Sequence, residues 1–195
     1  MKLRIPDNIK NITPYPPGKP LDELEREYGI TDSIKLASNE NPWPPIAAIQ
    51  QAVAAAAAGT NRYADHRATE LRERVAAWLG VEAHMVTAGC GSVGLLQQIV
   101  LTYLDPGDEA VYPWRSFEVY PVYTQLMAAT AVTVPLNDRL GFDLDAIAAA
   151  ITDKTKLVFL ATPNNPTGTA VSTAEIAAML ERVPDEVIVV VDEAY

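Results

Sequence analysis

A chain of 195 residues, 49% hydrophobic and 21% charged, with 10 Gly and 15 Pro, holds one sizeable domain or part of a larger one and is neither disordered nor fibrous. Its 15 Lys and Arg stand against 25 Asp and Glu, a net charge of −10, which repels phosphate backbones and anionic lipid and argues against nucleic acid and membrane surfaces as partners. Cys90 is the single cysteine, so an internal disulfide and a cysteine-cluster metal site are excluded and a cytoplasmic protein is expected. Met1 to Asn8 is charged and broken by Pro6 rather than followed by an apolar stretch, unlike a signal peptide. No apolar run reaches the roughly 18 residues of a membrane span.

The first 45 residues are rich in proline and read as an arm, with one short helix at Leu21 to Tyr28 closed by Gly29. From Ile46 an Ala-rich helix runs to about Ala58, and a second spans Ala68 to Leu79 with Leu71, Val75, Trp78 and Leu79 on one face. The chain then alternates. Strands are expected near Met85 to Thr87 and at 109–112, 131–135, 156–161 and 187–191, with helices at 92–104, 117–127, 144–151 and 173–183. Ser172-Thr173-Ala174-Glu175 fits a capping box for the last helix. Such alternation predicts an α/β fold: a three-layer αβα arrangement around a mostly parallel sheet, preceded by the arm. The expected division is 1–45 for the arm and 46–195 for the first part of a large domain. Val187 to Val191 is apolar without alternation, which predicts a strand buried on both faces, and only four residues follow it, so a longer parent protein is expected.

Ligands of such sheets bind beyond the carboxyl ends of the strands, and four segments fall there. Thr87 to Gly94 is a Gly-rich turn running into a helix, where free N–H groups and the helix dipole favour an anion. It lacks the Lys-Ser/Thr pair of a Walker loop. Trp114 to Tyr120 offers an aromatic face, Ala161 to Gly168 a rigid turn with Asn164 and Asn165, and Asp192-Glu193-Ala194-Tyr195 a carboxylate followed by a phenol. An anion cradle, an aromatic face, an amide and a carboxylate with a phenol together suit pyridoxal 5'-phosphate (PLP). His66 and His84 have no ligand-spaced partner, so no metal site is expected. Arg72-Glu73-Arg74 reads as a solvated helix face and Asp105-Pro106-Gly107-Asp108 as a turn.

The order of Ser38-Asn39-Glu40-Asn41-Pro42, Arg62-Tyr63, Gly89-Cys90-Gly91-Ser92, Ser116-Phe117-Glu118-Val119-Tyr120, Asn164-Asn165-Pro166-Thr167-Gly168 and Asp192-Glu193-Ala194-Tyr195 resembles the fold-type I PLP-dependent aminotransferases. The opening Tyr15 to Pro20, followed by Lys35 to Pro42, resembles the histidinol-phosphate aminotransferase group in particular. The resemblance runs along the whole chain and implies the large-domain fold of these enzymes, in part, with PLP as cofactor. It implies that Asp192 pairs with the pyridine nitrogen and that Asn165 and Tyr195 donate to the ring's phenolic oxygen. It further implies that Gly91, Ser92 and Val93 receive the phosphate, that Phe117 stacks on the ring, and that Tyr63 reaches the phosphate of a neighbouring subunit's cofactor, hence a homodimer. Tyr15 and Asn41 fall where the family covers its substrate.

The sequence departs from the family in three places. The Schiff-base lysine of the family lies well after the Asp-Glu-Ala-Tyr motif, and none of Lys2, Lys10, Lys19, Lys35, Lys154 and Lys156 has a matching context, so the 195-residue chain alone is expected to be inactive. Cys90 and Val93 stand where histidinol-phosphate enzymes usually show Asn and Asp, and Gly-Cys-Gly-Ser-Val with Trp114-Arg115-Ser116-Phe117 looks more like the aromatic amino acid aminotransferases. Trp43-Pro44-Pro45 replaces a usual Leu-Gly-Pro. The implied reaction moves an amino group between histidinol phosphate, in histidine biosynthesis, or alternatively an aromatic amino acid, and a 2-oxo acid. A PLP lyase or decarboxylase of the same fold would share these cofactor contacts, and a non-catalytic truncated product would retain them without the chemistry.

Overall fold

The computed structural model of the chain describes residues 4–14 and 18–195. Its elements in chain order are α1 (Asp7–Lys10), α2 (Leu21–Tyr28), α3 (Ala47–Ala57), α4 (Thr69–Leu79), a 3-10 turn (Ala83–Met85), α5 (Gly91–Tyr103), β1 (Glu109–Trp114), α6 (Val119–Leu126), β2 (Thr130–Pro135), α7 (Leu144–Ala149), β3 (Thr155–Ala161), α8 (Thr173–Leu180) and β4 (Ile188–Asp192). Two compact units result: Met1–Pro14 with Gly89–Tyr195, and Tyr15–Ala88.

In the larger unit the described residues form a four-stranded sheet in the order β2-β1-β3-β4, every neighbouring pair parallel. Successive side chains on a strand point to opposite faces, and the two cores follow that alternation. On one face Ala110, Tyr112, Leu157, Phe159 and Ala161 pack with Leu96 and Val100 of α5 and Tyr120 of α6. On the other, Val111, Val134, Val158 and Leu160 pack with Ile147 of α7 and Met179 of α8. This is the expected αβα sandwich. Ser172 caps α8 in a complete capping box with Glu175, and Asp105 and Asp108 close the expected turn before β1.

Two strand expectations are corrected. Met85 to Thr87 forms no strand: Val86 has extended backbone angles (φ −110°, ψ 131°), but its carbonyl accepts from Arg72 Nε at 2.6 Å rather than from a ladder partner. The same guanidinium donates to the Ala83 carbonyl at 2.8 Å, so Arg72 is a clamp within its unit and not part of a solvated face. β4, expected to be buried on both faces, is the edge of the sheet with β3 as its neighbour, and Val191 is 37% exposed. A long apolar run is compatible with either place, because periodicity cannot distinguish a central strand from an uncovered edge.

In the smaller unit α3 buries none of its residues; seven of its eleven are alanine, which offer little area to bury, and Ile49 and Val53 are exposed. In α4 the expected apolar face is largely exposed at Leu71, Trp78 and Leu79, and Ala76 is its buried residue. The Thr69 hydroxyl first, then the backbone N–H groups of Thr69 and Arg67, which donate to Asp65 at 2.8 and 2.9 Å, lower its carboxyl to about 2.

Candidate functional site

Three loops and a helix start meet at the carboxyl edge of the sheet. Ser92, Phe117, Ala161, Pro163, Asn165, Asp192, Ala194 and Tyr195 line one pocket. Of the residues singled out in the sequence, Ser92, Phe117, Asn165, Asp192 and Tyr195 are thus brought together, with Gly91 and Val93 flanking Ser92 in the first turn of α5.

The cradle follows from helix geometry. The first N–H groups of a helix have no intrahelical acceptor; Gly91 N–H is used by Gly89 at 2.9 Å and Gly94 N–H by Cys90 at 3.3 Å. The N–H groups of Ser92 and Val93 have no backbone acceptor among the described residues, which leaves them for an anion. Gly91 holds φ +68°, the left-handed region, and a Cβ there would meet nothing within 4 Å; the turn needs glycine for its backbone, and the space beside it is open.

Asp192 ends β4, at the far end of a parallel ladder in which Ala161 pairs with it. Its Oδ2 accepts from the Tyr120 hydroxyl at 2.9 Å and its Oδ1 from Ala194 N–H at 3.2 Å. Tyr120 is 1% exposed; its ring stacks on Phe159 at 4.9 Å and 7° and meets Phe117 edge-on at 5.7 Å and 87°. Burial first, and the Asp192 charge second, raise the Tyr120 phenol far above its ordinary value, so it is a neutral donor at any working pH.

The neighbouring asparagines divide their work. Asn164 is 2% exposed and turns inward: its Oδ1 accepts from Ser116 Oγ at 2.7 Å, and its Nδ2 donates to the Arg115 carbonyl at 3.1 Å and to Thr167 Oγ1 at 2.8 Å. This ties the loop after β3 to the loop after β1 and leaves Asn165 on the pocket wall. Sequence reasoning placed Ser116, Asn164 and Tyr120 within the segments 114–120 and 161–168 but gave none of them a role of its own. Tyr120 lay three residues after Phe117 at the start of a helix, a spacing that puts both side chains on one face.

Tyr63 and Asn41 belong to the smaller unit and are exposed there; Asn41 Oδ1 accepts from Trp43 N–H at 3.0 Å. Tyr15 lies outside the described residues. Among the described residues no group of three or more His, Cys, Asp and Glu could hold a metal, and no helix is long and apolar enough to cross a membrane.

The donor set fits a flat, phosphorylated heteroaromatic molecule: free N–H groups at one end, an aromatic edge, an amide on the wall, and an anchored carboxylate. The profile of the class I and II aminotransferases matches residues 31–195. The chain belongs to that family. An aromatic amino acid aminotransferase of Rhodococcus erythropolis is 47% identical over 195 residues, covering 100% of this chain and 52% of the relative. One from Thermobifida fusca is 48% identical over 187 residues, 96% of this chain and 50% of the relative. The chain thus spans about half the length of the curated relatives it matches. Among solved structures, a histidinol-phosphate aminotransferase from Sinorhizobium meliloti in complex with pyridoxal-5'-phosphate superposes with TM-score 0.86 at 27% identity, over 99% of this chain and 51% of that one. The aminotransferase fold expected from the sequence is therefore the fold observed.

Proposed function

We propose that this aminotransferase chain supplies the cofactor-binding edge of a PLP-dependent transaminase acting on an aromatic amino acid and a 2-oxo acid. The observation that carries the cofactor reading is the pocket itself, in which Asp192, Asn165, Phe117, Tyr195 and Ser92 converge. When bound, PLP supplies an electron-accepting ring for substrate deprotonation. Asp192 would sit against the pyridine nitrogen and favour its protonated form by charge. Asn165 and Tyr195 would donate to the phenolic oxygen, Phe117 would cover a ring face, and Gly91, Ser92 and Val93 would receive the phosphate through N–H groups. Tyr63 is assigned to the phosphate of a partner subunit's cofactor in a homodimer, and Tyr15 and Asn41 to the cover over the substrate.

The aromatic substrate is supported by relatives at 45–48% identity that carry that name and by Gly-Cys-Gly-Ser-Val and Trp114-Arg115-Ser116-Phe117. Histidinol phosphate is the second reading, supported by the Sinorhizobium structure and the Tyr15 to Pro42 segment. Two assays test these readings. Titration of the 195-residue chain with pyridoxamine 5'-phosphate, which needs no lysine to bind, is expected to saturate; no binding would refute the cofactor site. With the product of the full reading frame and 2-oxoglutarate, phenylalanine or tyrosine is expected to exceed histidinol phosphate in kcat/KM, and the reverse order selects the second reading.

A further inference from the structure

We infer that Tyr120 is a positioning residue that holds the Asp192 carboxylate, and with it the Phe117 ring, in the attitude required by a pyridinium ring in the pocket. The inference rests on the cofactor reading above and adds a residue to it. Tyr120 does not line the pocket; it stands behind two residues that do. Its hydroxyl is committed to Asp192 Oδ2 at 2.9 Å, and its ring is fixed from two sides. Phe159 of β3 stacks flat on it at 4.9 Å, and Phe117 abuts it edge-on at 5.7 Å. The backbone beneath is also tied, since Thr124 Oγ1 donates to the Tyr120 carbonyl at 2.8 Å.

The carboxylate needs such a partner. Asp192 is the last residue of an edge strand, and its other oxygen accepts the longer bond from Ala194 N–H, 3.2 Å, so the phenol is the shorter of the two holds on its side-chain torsions. A buried hydroxyl whose ring cannot rotate supplies a donor at one fixed point and stabilises the ionised carboxylate. The Phe117 contact gives the same residue a hold on a second residue that lines the pocket. Displacing Tyr120 would therefore disturb charge pairing and ring stacking together, although it touches neither partner of those interactions in the ligand.

The test uses the 195-residue chain and pyridoxamine 5'-phosphate labelled with 15N at the ring nitrogen. In the unaltered chain at saturation, the ring nitrogen is expected to resonate in the protonated range. Tyr120→Phe should weaken binding by about tenfold and, at saturation, move the resonance toward unprotonated pyridine. In an Asp192→Asn background the same substitution should change affinity by less than about twofold, because the residue acts through the carboxylate. An unmoved resonance in Tyr120→Phe, or an equal loss of affinity in both backgrounds, overturns the inference. Should Tyr120→Phe not fold, 3-fluorotyrosine at position 120 keeps the ring and strengthens the donor; a resonance identical to that of the unaltered chain then overturns it. Failure of the unaltered chain to bind the probe is a different result, which removes the cofactor reading and this inference with it.

Discussion

Tyr112 is buried, and among the described residues its hydroxyl has no partner of good hydrogen-bond geometry; burial pushes the phenol up to about 12, with the nearby Thr124 side chain opposing the rise. A phenol raised above its unfolded value of 10.0 contributes stability that is whole below that pH and is lost as pH climbs to about 12. Chemical denaturation followed across that window is expected to show a falling free energy, with the buried Tyr120 adding to the slope. Tyr112→Phe should make the fall shallower and be neutral or stabilising by up to about 1 kcal/mol near neutral pH, since it deletes an unsatisfied group. Removing an acceptor has the opposite sign. Asp192→Ala strands the Tyr120 hydroxyl in the core and is expected to cost about 1–3 kcal/mol in the same assay, part of which Tyr120→Phe should restore. None of this was legible in the sequence, because an aromatic residue in an apolar strand gives no sign of whether its hydroxyl finds a partner.

At the level of elements, the loop after β3 shows what sequence could and could not convey. Asn164 and Asn165 are chemically identical, and the motif alone left either free to turn inward or toward a ligand. The structure separates them by environment: three side-chain hydrogen bonds and near-complete burial for Asn164, pocket wall for Asn165. Asn164→Ala is therefore expected to lower stability by roughly 2–3 kcal/mol, leaving Ser116 and the Arg115 carbonyl unpaired. Asn165→Ala should leave the denaturation midpoint nearly unchanged and weaken pyridoxamine phosphate binding in a fluorescence titration. The helix signals were clearer. Ser172 and Glu175 form the capping box their spacing announced, and Ser172→Ala is expected to cost about 1 kcal/mol. Arg72 was misread because charge spacing describes a helix face and says nothing of the carbonyls that a following turn presents to it.

Across the whole molecule, the parallel order of the strands and the two helical layers were legible, because alternating apolar strands and helices admit few other packings. Exposure was not. Trp43, Trp78 and Tyr63 are 77%, 82% and 105% exposed, and the uncovered edge at β4 adds unpaired backbone groups beside Val191, a template for another strand. Sedimentation velocity of the 195-residue chain is expected to show concentration-dependent association, and Val191→Lys, which puts a charge on the strand edge, should reduce it. A single concentration-independent monomer boundary would contradict this reading of the edge.

The Asn164 bridge has a calorimetric consequence. Because Ser116, Arg115 and Thr167 are already knotted to Asn164, two walls of the pocket are rigid before any ligand arrives, and little chain entropy remains to be lost there on binding. Isothermal titration with pyridoxamine phosphate should accordingly give a heat-capacity change set by the small apolar area of ring and wall alone, without the large negative excess that marks a loop folding around its guest. Cutting the knot with Asn164→Ala would convert the same pocket into one that orders on binding, and the excess would appear.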